Sequence, residues 1–212
     1  MVKEHTLNWF AGIGLLALVG CAASGEVVPV DIRARPAASV AHSSASDGLR
    51  VAVLPFDDMR KERHHLGARS HIFGGETYFN APGGDPGMLV AQAMADYLRQ
   101  SGWQAWLAKP AITVPGDAAE VILTGQVEEF NAQARSRFFS TELTSAVRVT
   151  IQAKNVSDGS VVKLTMSGSG SEPVFWFEPE DVQDVLNEAI KSSVDKLLVN
   201  TRIENRKLRT TD

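Results

Sequence analysis

Between Phe139 and Gln152 the chain repeats with a period of two. Phe139, Thr141, Leu143, Ser145, Val147, Val149 and Ile151 fall on one side, and Ser140, Glu142, Thr144, Arg148, Thr150 and Gln152 on the other. A helix would scatter the first set around its circumference, whereas a strand gathers it on one face. Such a strand is dry on one face and wet on the other, which is the mark of an antiparallel sheet covered on one side. Val121, Leu123, Gly125 and Val127 alternate in the same way with Thr124, Gln126 and Glu128. Asp158-Gly159 then turns the chain into residues 162–166, a hairpin partner.

The cover must come from helices, and two are visible. Asp85-Pro86 offers an N-cap followed by a proline in the first turn. Leu89, Val90, Ala93, Met94, Tyr97 and Leu98 then share a face up to about Gln100, and Gly102 ends the run. A longer stripe starts near Pro179 and runs through Val182, Val185, Leu186, Ala189, Ile190, Val194, Leu197 and Leu198. Short apolar runs at residues 50–56 and 103–107 add two strands. The expectation is an α+β fold, a mostly antiparallel sheet with two main helices packed on it, in the order β-α-β-β-β-β-α.

The N-terminus carries a different signal. Leu7 to Gly20 is nearly all apolar, too short to span a bilayer as a helix but of the length of a secretory apolar core. It closes on Leu18-Val19-Gly20-Cys21, the chain's single cysteine. One thiol can form neither an internal disulfide nor a zinc site of two thiolates. The segment resembles a bacterial lipoprotein signal, with Leu18, Val19 and Gly20 forming the lipobox. That resemblance implies cleavage before Cys21 and acylation of the new N-terminus, and Ala22 in place of an aspartate implies outer-membrane sorting. No cofactor is expected beyond this covalent lipid on Cys21.

The expected organisation is a signal peptide at 1–20 and a lipidated N-terminus with a flexible tether at 21–48. A periplasmic domain follows at 49–202 and a polar tail at 203–212. The tether is rich in Ala, Ser and Pro and would span on the order of 30 Å. Within it, residues 27–32 could pair as an edge strand, held to the edge by Pro29.

Catalysis finds no foothold. Gly168-Ser169-Gly170-Ser171 lacks the spacing of a nucleophile elbow and reads as a bulge or turn. Glu62, His64, His65 and His71 have no paired ligand spacing, so no metal site is expected. Gly83-Gly84-Asp85 puts a carboxylate where a phosphate would have to sit. A net charge of −4 and an isoelectric point of about 5.8 give no global basic footprint for nucleic acid. Two apolar features stand out instead. Residues 57–84 form a long irregular stretch carrying Phe73, Tyr78 and Phe79, and Trp176 lies between two phenylalanines before the last helix. These four residues are candidate contacts for a partner, and deleting residues 70–83 is expected to leave the domain folded. Trp176 has a second reading, as a staple closing the helix on the sheet.

Lipobox, tether, the Val51–Phe56 strand, Asp85-Pro86, Gly102-Trp103, the Leu123–Val127 strand and the long last helix together resemble a group of Gram-negative envelope lipoproteins. The group includes YajG-like, CsgG-like and LpoB-like proteins and auxiliary lipoproteins of ABC transporters. The resemblance implies a non-enzymatic, periplasm-facing domain, held to the outer membrane by acyl chains, that binds a protein or envelope component as an adaptor in envelope maintenance or transport. The alternative is an oligomeric assembly or secretion-pore subunit of CsgG-like type.

Overall fold

The structure, a computed structural model, describes residues 25–30, 32, 48–109 and 118–211. Its spine is one long strand. β7 (Val121–Ser136) pairs along its whole length with β8 (Thr141–Asn155), which pairs in turn with β9 (Val161–Val174), all antiparallel. On its other edge β7 is met in parallel by three short strands in succession: β2 (Arg50–Val53), β3 (Asp57–Asp58) and β4 (Gly67–Ser70). β6 (Gln104–Leu107) lies parallel outside β2. β5 (Glu76–Asn80) folds back antiparallel on β4, and β1 (Glu26–Pro29) closes that edge in parallel with β5.

The α+β class therefore holds, but the sheet is mixed. One parallel pair has a clear cause: the connection from β2 to β6 runs through β3, β4, β5 and then α1 (Pro86–Gln100), and a strand returned by a crossover helix lies parallel to the one it left. The 57–84 stretch contributes three strands to the sheet, β3, β4 and β5, joined by irregular segments. Phe79 on β5 is fully buried in the core, so excising 70–83 would remove a strand and a core side chain. The edge strand expected at residues 27–32 forms as β1, which takes this part of the 21–48 segment into the sheet, with Val30 and Ile32 buried behind it. Nor is the C-terminus merely a polar tail. β10 (Thr201–Glu204) and β11 (Lys207–Thr210) form a hairpin whose Leu208 is fully buried. Its anchor is Asn155, whose side-chain amide donates to the Leu208 carbonyl (3.0 Å) and accepts from the Leu208 N–H (2.8 Å).

Both helices cover one face of the sheet. Each starts where the sequence places it: Asp85 Oδ1 accepts from the Met88 N–H at 2.9 Å, and α2 (Pro179–Asn200) opens on a capping box between Glu178 and Asp181. Val182, Val185, Leu186, Ala189, Ile190, Val194 and Leu197 all face the core. Tyr97 of α1 donates to the Asn187 carbonyl of α2 at 3.2 Å. Burial first, and then the Glu188 and Asp195 carboxylates, push its hydroxyl up to about 12.

α2 lies unusually close to β9, because Gly168 and Gly170 present bare backbone to it. A Cβ on Gly168 would stand 1.9 Å from the Ala189 carbonyl oxygen, and one on Gly170 would stand 2.3 Å from that of Val185. Ser145 on β8 stitches the contact, donating to the Val185 carbonyl (2.6 Å) and accepting from the Gly170 N–H (3.1 Å). The Gly-Ser run is thus strand and not turn.

Candidate functional site

Two surfaces stand out, and a β-bulge creates the first. Val127 pairs with Val149 and Glu129 with Arg148, which leaves Glu128 as an extra residue on β7. Val127 and Phe130 are buried, while Glu128 and Glu129 between them both turn to the uncovered side of the sheet. There Glu128 accepts from the Thr150 hydroxyl (2.6 Å), and Glu129 accepts from Asn131 (3.0 Å) and sits 3.8 Å from Arg148.

The bulge falls in the gap between β3 and β4, and Arg60 fills that gap. The side chain of Arg60 is only 5% exposed. Its guanidinium grips both oxygens of Asp58 (2.9 and 3.0 Å) and donates to the carbonyls of His65 (3.1 Å) and Phe130 (3.2 Å). Burial pushes the Asp58 carboxyl up, but the hydrogen bonds and charge of Arg60 outweigh it and hold the group below the ordinary carboxylate range. The result is an open-sided cleft of about 550 Å³, lined among others by Lys61, Glu62, His65, Glu128, Gln133 and Arg148. The lining mixes both signs of charge with amides.

The histidines of this region have structural partners. His65 stacks on Tyr78 at 4.3 Å between ring centroids, and the Asn80 amide, turned to present its nitrogen, donates to His65 Nδ1 at 2.7 Å. His71 Nε2 bonds Thr77 Oγ1 at 2.9 Å. Among the described residues no three His, Cys, Asp or Glu side chains gather as a metal cluster would require.

The second surface is one end of the sheet. There the start of β1, the β4–β5 turn, the β7–β8 turn and the exit of β9 stand side by side, as the pairs Glu26–Thr77, Ser70–Glu76, Ser70–Arg135, Ser136–Thr141 and Thr141–Val174 require. Three of these crossings carry bare apolar side chains. Phe73 is 92% exposed, Phe138 79%, Phe139 80%, Phe175 68% and Trp176 79%. Scattered exposed apolar residues are ordinary, but a cluster of this kind is not.

The four candidate contacts therefore separate. Phe73 and Trp176 are on this rim. Tyr78 is half-buried under His65, with its hydroxyl donating to Glu76 at 3.0 Å. Phe79 is corrected: one residue along a strand reverses the face, so it points into the core and no partner can reach it. The staple before α2 is Phe177 and not Trp176. Phe177 stacks against Phe79 at 6.2 Å and receives the Arg69 guanidinium 4.1 Å above its ring. Phe138 and Phe139 were missed as surface residues, since Phe139 fits the period-two run. The strand begins only at Thr141, and Phe139 belongs to the turn. Leu18, Val19, Gly20 and Cys21 lie outside the described residues.

A family model described as "Uncharacterized lipoprotein" (Lipoprotein_16) matches residues 36–206. No curated protein matches the chain. Among solved structures, the chain is similar to protein XCC0632 of Xanthomonas campestris, assigned to family DUF330, at 12% identity, covering 81% of this chain and 92% of that one with a TM-score of 0.47. It is similar to the PelC dodecamer from Paraburkholderia phytofirmans at 19% identity, covering 71% and 87% with a TM-score of 0.42. It is also similar to lipoprotein GNA1162 from Neisseria meningitidis at 12% identity, covering 72% and 99% with a TM-score of 0.35.

Proposed function

The chain belongs to the Lipoprotein_16 family of uncharacterized lipoproteins, and from that membership we propose an outer-membrane lipoprotein, anchored through Cys21 and facing the periplasm. Its domain acts as a non-enzymatic adaptor that binds a protein or another envelope component. The lipobox Leu18-Val19-Gly20-Cys21 supports the anchor. The observation that carries the adaptor reading is the cleft beside the bulge. Its floor is fixed by the buried Arg60, and its walls offer amide, carboxylate and cationic groups to a polar surface. The partner is expected to bind there through hydrogen bonds from a projecting segment of its own.

Anchor and cleft can be tested together in intact cells. Cys21→Ser is expected to accumulate as unprocessed precursor without acyl mass on its N-terminus. Normal processing and membrane fractionation of that variant would refute the anchor. A photo-crosslinking residue in place of Gln133, on the cleft, is expected to yield a discrete adduct. The same residue in place of Glu188, exposed on α2, is expected to yield none. Equal adducts from both positions would remove the cleft as the binding site.

A further inference from the structure

We propose that the aromatic rim is a membrane seat: Ile72, Phe73, Phe138, Phe139, Phe175 and Trp176 dip into the interface of the bilayer that holds the acylated Cys21. This rests on the anchor proposed above.

The length of chain between anchor and fold chooses the occupant. The Gly25 N–H donates to the Glu76 carbonyl at 2.9 Å, which fixes residue 25 at the rim end of the sheet, next to the turn that carries Phe73. Gly25 is only four residues beyond Cys21, a span of roughly 14 Å at full extension. An acylated cysteine sits where its chains enter the hydrocarbon. Between that level and water lies a headgroup layer of roughly 5–8 Å per leaflet. The rim end of the sheet is therefore held within headgroup reach, whatever the rest of the domain does. A 27-residue tether would have allowed the domain to drift, but pairing of β1 with β5 removes that freedom.

The chemistry of the rim fits that position. Tryptophan is enriched at membrane interfaces and phenylalanine on the apolar faces that bury at the acyl boundary, and here they project from short turns at the ends of strands. Ile72, Phe138, Phe139, Phe175 and Trp176 border one shallow depression, so they meet a surface as one patch. The opposite end of the sheet differs. Its Asp158-Gly159 turn is polar and salt-bridged to Lys207 (2.9 Å) and Arg209 (3.0 Å). Acyl chains and a protein patch acting together give firmer attachment than either alone, and the patch adds what a lipid cannot, a fixed orientation.

The test uses the full lipidated protein reconstituted in vesicles of phosphatidylethanolamine and phosphatidylglycerol, with or without brominated acyl chains. Flotation reads the anchor, and tryptophan emission reads the seat. Trp103 is buried, Trp106 is half-buried and Trp176 is open, so brominated lipid is expected to quench a component that Trp176→Phe deletes. Protein that floats with vesicles while its Trp176 component stays unquenched refutes the seat and leaves the anchor standing. Failure to float refutes both. Shielding of Trp176 from aqueous iodide that grows with protein concentration in detergent, without vesicles, would assign the rim to a second copy and overturn the seat.

Discussion

Gly168→Val is expected to force the sheet–helix interface apart and to lower the melting temperature markedly. The α2 backbone passes so near β9 that the Ala189 carbonyl oxygen occupies the space of a Cβ. Neither partner can yield cheaply: β9 is tied to β8 along its length, and α2 buries its apolar stripe against both. Over-packing of this kind costs about 3 kcal/mol or more, because the obstacle is backbone and not a side-chain tip. For a domain of this size that lowers the melting temperature by roughly 10 °C. The control is the neighbouring residue. Ser169 points outward on the same strand, so Ser169→Val should shift stability by no more than about 0.5 kcal/mol. Thermal melting of the two variants decides. Equal losses would show that valine disturbs the strand itself, and no loss at Gly168 would show that α2 can lift away.

The second large effect is expected at Arg60. Arg60→Ala takes the bidentate guanidinium from the Asp58 carboxylate, leaving it the backbone N–H of residue 60, and leaves the carbonyls of His65 and Phe130 without this donor, at a cost of about 3 kcal/mol. Arg60→Lys should rescue little, since an ammonium cannot grip two carboxylate oxygens and two carbonyls at once. The loss carries a pH signature. In the native protein Asp58 titrates below its ordinary value, so the pair stabilises fully above about pH 4 and loses its contribution as pH falls through the folded value. In the alanine variant only the backbone N–H of residue 60 (3.1 Å) and the charge of Arg63 still oppose burial, so Asp58 titrates higher than in the native protein and acid relieves part of the penalty. The gap in melting temperature between native protein and variant is therefore expected to narrow from pH 7 toward pH 3. A gap that ignores pH would assign the loss to the carbonyls alone.

Sequence pattern located the elements that have a strong period and a clear boundary. Asp85-Pro86, the Val182–Leu197 stripe and the Leu143–Ile151 alternation each combine a local signal with a buried face, and each stands where the pattern puts it. Where the signals part, the reading fails. β9 runs eight residues beyond Met166 because Ser-Gly alternation, which locally favours a turn, is overridden by the need for bare backbone beneath α2. β10 and β11 offer one deeply buried residue, Leu208, among alternating charges, too little apolar signal to set them apart from a tail. The parallel pairings depend on which edge a returning strand joins, and no local residue encodes that. The rim was legible in Phe73 and Trp176. The cleft was not, because it is made by a single extra residue in β7 and by an arginine whose importance lies in being buried.

The arrangement of the sheet also sets an order of closure. The β7–β8 and β8–β9 pairs are joined by short turns at residues 137–140 and 156–160, so their ends meet at little entropic cost. Val51 must find Val121, and Val28 must find Phe79, across long stretches of intervening chain. The meander is thus the natural nucleus, and the first strand to be synthesised is among the last to gain its partner. Until it does, the chain ahead of β2 (Arg50–Val53) is not held to the sheet. On the proposed anchor and seat, completing the domain and drawing it down onto the membrane are one event.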